Sequence, residues 1–137
     1  MEVFEDDLRR LFRNGKRFPP GTVWLSEPGL GSDYGLPDVW VPIGSGFYPL
    51  ELKRGVVPLQ KFEPSQRKFH KLSLMRGCRT FCMSIVDKET ALGYRIDLAR
   101  GELQAYIEEE FKLHELSEKY LQWASLAEWL EKSIARK

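Results

Sequence analysis

Between Leu36 and Lys53, apolar and polar side chains alternate around a glycine turn, and this is the clearest periodic stretch in the chain. Taking Gly44-Ser45 as a two-residue loop, with glycine first as a type II′ turn prefers, gives a β-hairpin with strands at 36–43 and 46–53. Residues equidistant from the turn then face one another: Ile43 and Gly46, Val41 and Tyr48, Val39 and Leu50. Side chains alternate along a strand, so Val39, Val41, Ile43, Tyr48, Leu50 and Leu52 make one apolar face. The other face carries Asp38, Glu51 and Lys53, with Asp38 across from Glu51 at a Cβ separation of about 4.5–5.5 Å. A slip of one residue would set Asp38 against an apolar partner, so pattern and turn agree on one register. Pro42 and Pro49, which cannot donate to a ladder, predict an irregular turn end or a sheet edge.

The rest of the chain divides by the same criteria. Phe4, Leu8, Leu11 and Phe12 recur at helical spacing over 4–13, with Asn14-Gly15 as the stop. A short strand is expected at 22–25, then an irregular glycine-rich loop from Glu27 to Gly35 in which Glu27 and Asp33 read as turn residues or an extra acid. Residues 55–63 read as a linker. Pro64-Ser65-Gln66 opens a helix that Ser65 can cap and Gly77 ends, with Phe69, Leu72 and Met75 inward and Arg67, Lys68 and Lys71 flanking. Strands follow at 79–86 and 93–98, the second a period-two alternation of Tyr94, Ile96 and Leu98 with Arg95 and Asp97. Two helices are expected to finish the chain. One spans 103–120 on Leu103, Tyr106, Ile107, Leu113, Leu116 and Tyr120; the other starts at the capping box Ser125–Glu128 and buries Leu126, Trp129, Leu130 and Ile134. The sum is an α/β fold ordered α-β-β-β-α-β over residues 1–90, with residues 91–137 packed on it in one domain.

Composition narrows the class. At 137 residues, 42% hydrophobic and 30% charged, the chain suits one globular domain with a single core. No apolar run approaches the ~20 residues of a membrane span, and the acidic start Met1–Asp7 lacks the pattern of a signal peptide, so no membrane and a cytoplasmic setting are expected. Cys78 and Cys82 have no zinc-type spacing and are expected to be reduced. His70 reads as a helix-surface residue near phosphate and His114 as structural. Tyr106, Phe111, Tyr120, Trp123 and Trp129 read as core or, secondly, as a dimer interface. The net charge of +1 hides an asymmetry: over 52–79, Lys53, Arg54, Lys61, Arg67, Lys68, Lys71, Arg76 and Arg79 stand against Glu63 alone, whereas 102–137 has eight acids and five bases. A basic block beside acidic residues suits a phosphate backbone, though a solvated helix face has the same look.

Two carboxylates side by side repel unless a cation lies between them. Their hard oxygens select Mg²⁺ or Mn²⁺, which acidify bound water and offset charge building on a phosphate oxygen. Lys53 could stabilise that charge as well. A plain surface salt bridge from Lys53 to Glu51 or Asp38 is the competing reading.

Gly35-Leu36-Pro37-Asp38 followed by Glu51-Leu52-Lys53 resembles the signature of the PD-(D/E)XK nuclease superfamily. The helix opened by Pro64-Ser65-Gln66 and the strand after it are similar to the VRR-NUC and Holliday-junction resolvase-like branches. The resemblance implies a restriction-endonuclease-like core and an Mg²⁺- or Mn²⁺-dependent endonuclease acting on DNA, including branched repair intermediates. It implies Asp38, Glu51 and the Leu52 carbonyl as metal ligands, Lys53 as the catalytic lysine, Gln66 as a supporting residue, and an acid on the first helix, chosen as Glu5 with Glu2 and Asp6 as close rivals. Arg54, Lys61, Arg67, Lys68 and Lys71 would hold the DNA backbone. A homodimer is compatible with this, since cutting both strands calls for two active sites. A non-catalytic nucleic-acid-binding module and a protein-interaction domain remain as alternatives.

Overall fold

A computed structural model describes residues 21–24, 35–37, 39–112 and 121–136. The helix expected at 4–13, most of the glycine-rich loop, and His114 lie outside these residues. The described elements are β1 (Val23–Trp24), β2 (Val39–Ile43), β3 (Gly46–Arg54), α1 (Pro64–Met75), β4 (Thr80–Ile85), β5 (Thr90–Ala99), β6 (Glu102–Lys112) and α2 (Leu121–Ala135). They make an α/β fold in which the strands form one six-stranded sheet, in spatial order β1-β2-β3-β4-β5-β6. The pairings are antiparallel except for β3 with β4, which α1 bridges as a parallel crossover.

The hairpin has the expected register, with Val39 opposite Leu50, Val41 opposite Tyr48 and Ile43 opposite Gly46. Gly44 has φ of +60°, and Arg100 is the sole non-glycine with positive φ among the described residues, so the turn has the sign pattern of type II′. The prolines do not disturb this ladder. Pro42 and Pro49 occupy the non-hydrogen-bonded pairs, so their nitrogens face the outer sides of the hairpin. There β1 begins with Val23 opposite Trp40, and the β3–β4 pairs begin with Leu50 opposite Phe81.

Each face of the sheet is covered by one of the described helices. Val39, Val41, Leu50, Leu52, Phe81, Met83, Ile85, Ala91 and Phe111 pack with Leu126, Trp129 and Leu130 of α2. On the opposite face Cys82, Tyr94, Ile96 and Leu103 pack with Phe62 just before α1 and with Leu74 of α1. Cys78 is exposed, Cys82 is buried, and both are free. No described helix is long and apolar enough to cross a membrane.

Several expectations are corrected. Residues 102–112 form a strand, not the start of a helix at Leu103. Arg100 and Gly101, with φ of +55° and +78°, turn the chain tightly from β5 into β6. The pairing then slips, since Ile107 faces Tyr94 but Glu109 faces Gly93, which leaves Glu108 as the extra residue of a bulge. Leu103 and Phe111 share a parity in sequence yet lie on opposite sheet faces, so the alternation is hidden and the residual spacing imitates a helix. Helix α2 begins before Ser125, which lies within it, although Leu126, Trp129, Leu130 and Ile134 pack as expected. The 55–63 linker is a crossover with a 3₁₀ turn at Pro58–Lys61, and Phe62 is buried. Glu63, not Ser65, caps α1, in a capping box with Gln66. Gly77 ends that helix as expected, with its N–H on the Leu74 carbonyl (3.0 Å) and that of Cys78 on the Ser73 carbonyl (2.9 Å).

Candidate functional site

Glu51 and Lys53 point from β3 to the face under α1, and both are buried, at 1% and 6% exposure. Burying a carboxylate or an ammonium is costly unless each is paired, so their partners decide what the site can do. Lys53 Nζ donates to Gln66 Oε1 at 3.1 Å and lies 5.5 Å from the centre of the Phe62 ring. The same Gln66 oxygen accepts the Glu63 N–H at 2.8 Å. One side chain therefore caps α1 and ties its first turn to Lys53.

Glu51 has a partner not foreseen. Its Oε1 lies 3.1 Å from Nε2 of His70, whose side chain is fully buried. His70 is thus no surface residue. The signal was present, because His70 is one turn beyond Gln66, and residues four apart share a helix face. Placing Phe69, Leu72 and Met75 inward contradicts that, and Leu72 and Met75 are in fact 46% and 73% exposed. The His70 ring stacks edgewise on Phe69 at 5.3 Å and tilts against Phe62 at 5.2 Å, which fixes its plane. Its Nδ1 is buried with no partner among the described residues.

Asp38 and Glu5 lie outside the described residues, as do Glu2, Asp6, Glu27 and Asp33. The approach to position 38 is described. Gly35 has φ of +71°, and a Cβ there would overlap the Ser65 carbonyl, so the backbone at 35 lies directly against the first turn of α1. Pro37 is buried and its carbonyl accepts the Trp40 indole N–H at 2.9 Å. Alternation along the ladder turns the Leu52 carbonyl towards the β2 side, past the last described pair Val39–Leu50.

The basic residues are dispersed. Lys61, Lys68 and Arg76 are exposed. Arg67 donates to the Leu59 carbonyl, Lys71 lies 4.0 Å from Glu102, and Arg54 is partly buried at the end of β3. Lys61 and Lys68 are therefore the expected backbone contacts most open to a ligand.

As a hard oxygen donor, Glu51 fits a divalent ion such as Mg²⁺ or Mn²⁺. Among the described residues no group of three or more His, Cys, Asp or Glu side chains gathers to hold one, so the fit depends on residue 38. No family model matches the chain, and neither curated proteins nor solved structures give a match.

Proposed function

We propose that the protein is a divalent-metal-dependent deoxyribonuclease with a restriction-endonuclease-like core. The observation that carries this reading is the pair of acid and lysine buried side by side on β3, with Gln66 bonded to the lysine ammonium. Buried charges contribute little net stability, so their presence calls for another purpose. The antiparallel β1-β2-β3 set followed by α1 and a parallel β4 also agrees with the order that the resemblance implies.

In this reading Asp38, Glu51 and the Leu52 carbonyl hold Mg²⁺ or Mn²⁺. When bound, the ion would acidify a water and offset charge on the scissile phosphate. Gln66 keeps Lys53 extended towards the same face, where its ammonium stabilises charge on the phosphate oxygens. His70 fixes the rotamer of Glu51 by holding one carboxylate oxygen. Lys61 and Lys68 meet the DNA backbone, and substrates include branched as well as linear DNA.

The test is cleavage of supercoiled and branched DNA with Mg²⁺, with Mn²⁺ and with EDTA. Lys53→Met should lower the rate by about 100- to 1000-fold, the cost of removing one group that stabilises transition-state charge. Asp38→Ala should abolish both cleavage and calorimetric metal uptake. Metal uptake absent from the parent protein would sink the proposal. The closed Glu51–His70 pair favours the second reading, a non-catalytic nucleic-acid-binding module, and intact DNA binding without cutting would support it.

A further inference from the structure

Along β3 from the candidate site, towards the hairpin turn, lies an open cavity of about 530 Å³. Trp40, Phe47, Pro49, Phe69, Cys78 and Arg79 line it. Phe47 and Pro49 share the sheet face of Glu51 and Lys53, because side chains two apart on a strand point the same way. At about 3.3 Å per residue, Pro49 is about 7 Å and Phe47 about 13 Å along the strand from Glu51. Phe47 is 55% exposed, so its ring is open to a ligand. Trp40 and Phe69 meet at 81° with centroids 6.0 Å apart, so their rings form a wall and a floor rather than a filled stack. The Trp40 N–H is already bonded to Pro37, which leaves its ring to act by apolar contact.

We propose that this groove receives an unpaired nucleobase, so that the preferred substrate is a strand with a single-stranded portion beside the cleavage site. The inference rests on the nuclease reading for its partner class and goes beyond it in naming the form of the substrate. Aromatic faces bind bases of any sequence by stacking. The exposed Arg76, next in sequence to Gly77 of the lining, complements the phosphates beside that base, whereas the Arg79 guanidinium at the rim donates to the Arg136 carbonyl. A paired base cannot enter, because its faces are covered by its neighbours in the duplex. A peptide would need backbone pairing or charged anchors, and the lining offers aromatic rings and small residues, its Arg79 being bonded to the Arg136 carbonyl.

The experiment is equilibrium binding in EDTA, where no cutting occurs. The probes are fluorescent deoxythymidine and uridine oligonucleotides of about 12 nucleotides and a duplex of the same length. The parent should prefer the single strands, and a 2-aminopurine placed in the oligonucleotide should be quenched on binding. Phe47→Ala should weaken single-strand binding by about 10-fold and leave duplex binding within about twofold, whereas Phe47→Tyr should keep the parental affinity. The exposure of Phe47 makes both variants compatible with folding. The deoxy and ribo probes separate DNA from RNA as the source of the base. Equal affinity for single strand and duplex, or an unchanged Phe47→Ala, overturns the proposal and leaves the groove to a peptide or a second copy of the chain. Metal-dependent duplex cleavage by that same variant would then show that the nuclease reading survives without the groove.

Discussion

The two faces of the sheet are built on opposite terms. Under α2, twelve apolar residues from Val39 to Leu130 pack together. Trp129 organises that layer, with ring contacts to Phe81 at 5.6 Å and Phe111 at 5.8 Å. At its border, Glu108 draws in polar groups of α2, accepting from Trp129 Nε1 at 3.2 Å, from the Ser133 hydroxyl, and from Arg136 at 2.9 Å. Alternation from Leu103 and Ala105 places Glu108 on this face, and the bulge that follows brings Phe111 to it as well. Under α1 the same strands bury Glu51, Lys53, His70, Thr80 and Ser84. Apolar burial stabilises at about 25 cal/mol per Å², while buried ion pairs often return nothing after desolvation. The α2 face therefore holds the fold together, and the α1 face carries groups that folding alone would not select.

This contrast predicts that damage to the two faces separates stability from activity. Trp129→Ala should cost about 3–5 kcal/mol, because a large ring leaves a cavity between Phe81, Phe111 and Gly93. Chemical denaturation would measure it, and cleavage well below the melting temperature should be unchanged. A loss of cleavage without a loss of stability would dissolve the distinction.

On the α1 face, His70→Ala should cost about 3 kcal/mol, since it leaves the Glu51 carboxylate buried without that partner. The informative companion is Glu51→Leu combined with His70→Leu. Replacing both polar partners with apolar groups should restore stability to within about 1 kcal/mol of the parent or above it. Cleavage should vanish in the double variant. If the double variant is as unstable as His70→Ala, the pair is structural and the division of labour fails.

Gly35→Ala is a sharper probe, because it leaves the buried side chains of both faces unchanged. The added methyl must displace residues 35–37 from the Ser65 carbonyl, and the left-handed backbone adds strain. We expect a loss of stability of about 1–3 kcal/mol. Cleavage should fall by about 100-fold, as displacement of a positioned group by about 1 Å can cost that much. Parental cleavage in this variant would show that the approach to residue 38 plays no part in the site.

How much of this was legible follows from the kind of constraint each region obeys. The hairpin could be read from its letters because a glycine turn and a period-two pattern determine register independently and agreed, down to Val39–Leu50. The resemblance named Gln66 only as a supporting residue; its bond to Lys53 comes from the structure. The Glu51–His70 contact was missed because apolar spacing on α1 suggested one rotation of that helix and the Gln66–His70 spacing another. The polar pair determines it, and Leu72 and Met75 are left facing out. Strand β6 was illegible for a different reason: a bulge reverses which face each parity occupies, and its one mark, Gly93 on the facing strand, was read only as the start of a strand.

The smallest expected effect concerns Tyr94, on the α1 face beside Cys82. Its hydroxyl donates to the Val56 carbonyl at 3.1 Å, and this ties β5 to the crossover between β3 and α1. Burial, and then the neighbouring Cys82, raise its pKa above the usual value of 10.0. In the unfolded chain the phenol loses its proton near pH 10, while the folded one holds it to higher pH. The contribution is thus complete below about pH 10 and is lost as pH climbs towards the folded pKa, because the native state then binds more protons than the unfolded one. Denaturation midpoints measured at about pH 9 and about pH 11 should fall more steeply for the parent than for Tyr94→Phe, which has no proton to lose. Equal slopes would mean that the phenol is solvated like any surface tyrosine, and that water reaches the α1 face in a way that the α2 face does not allow.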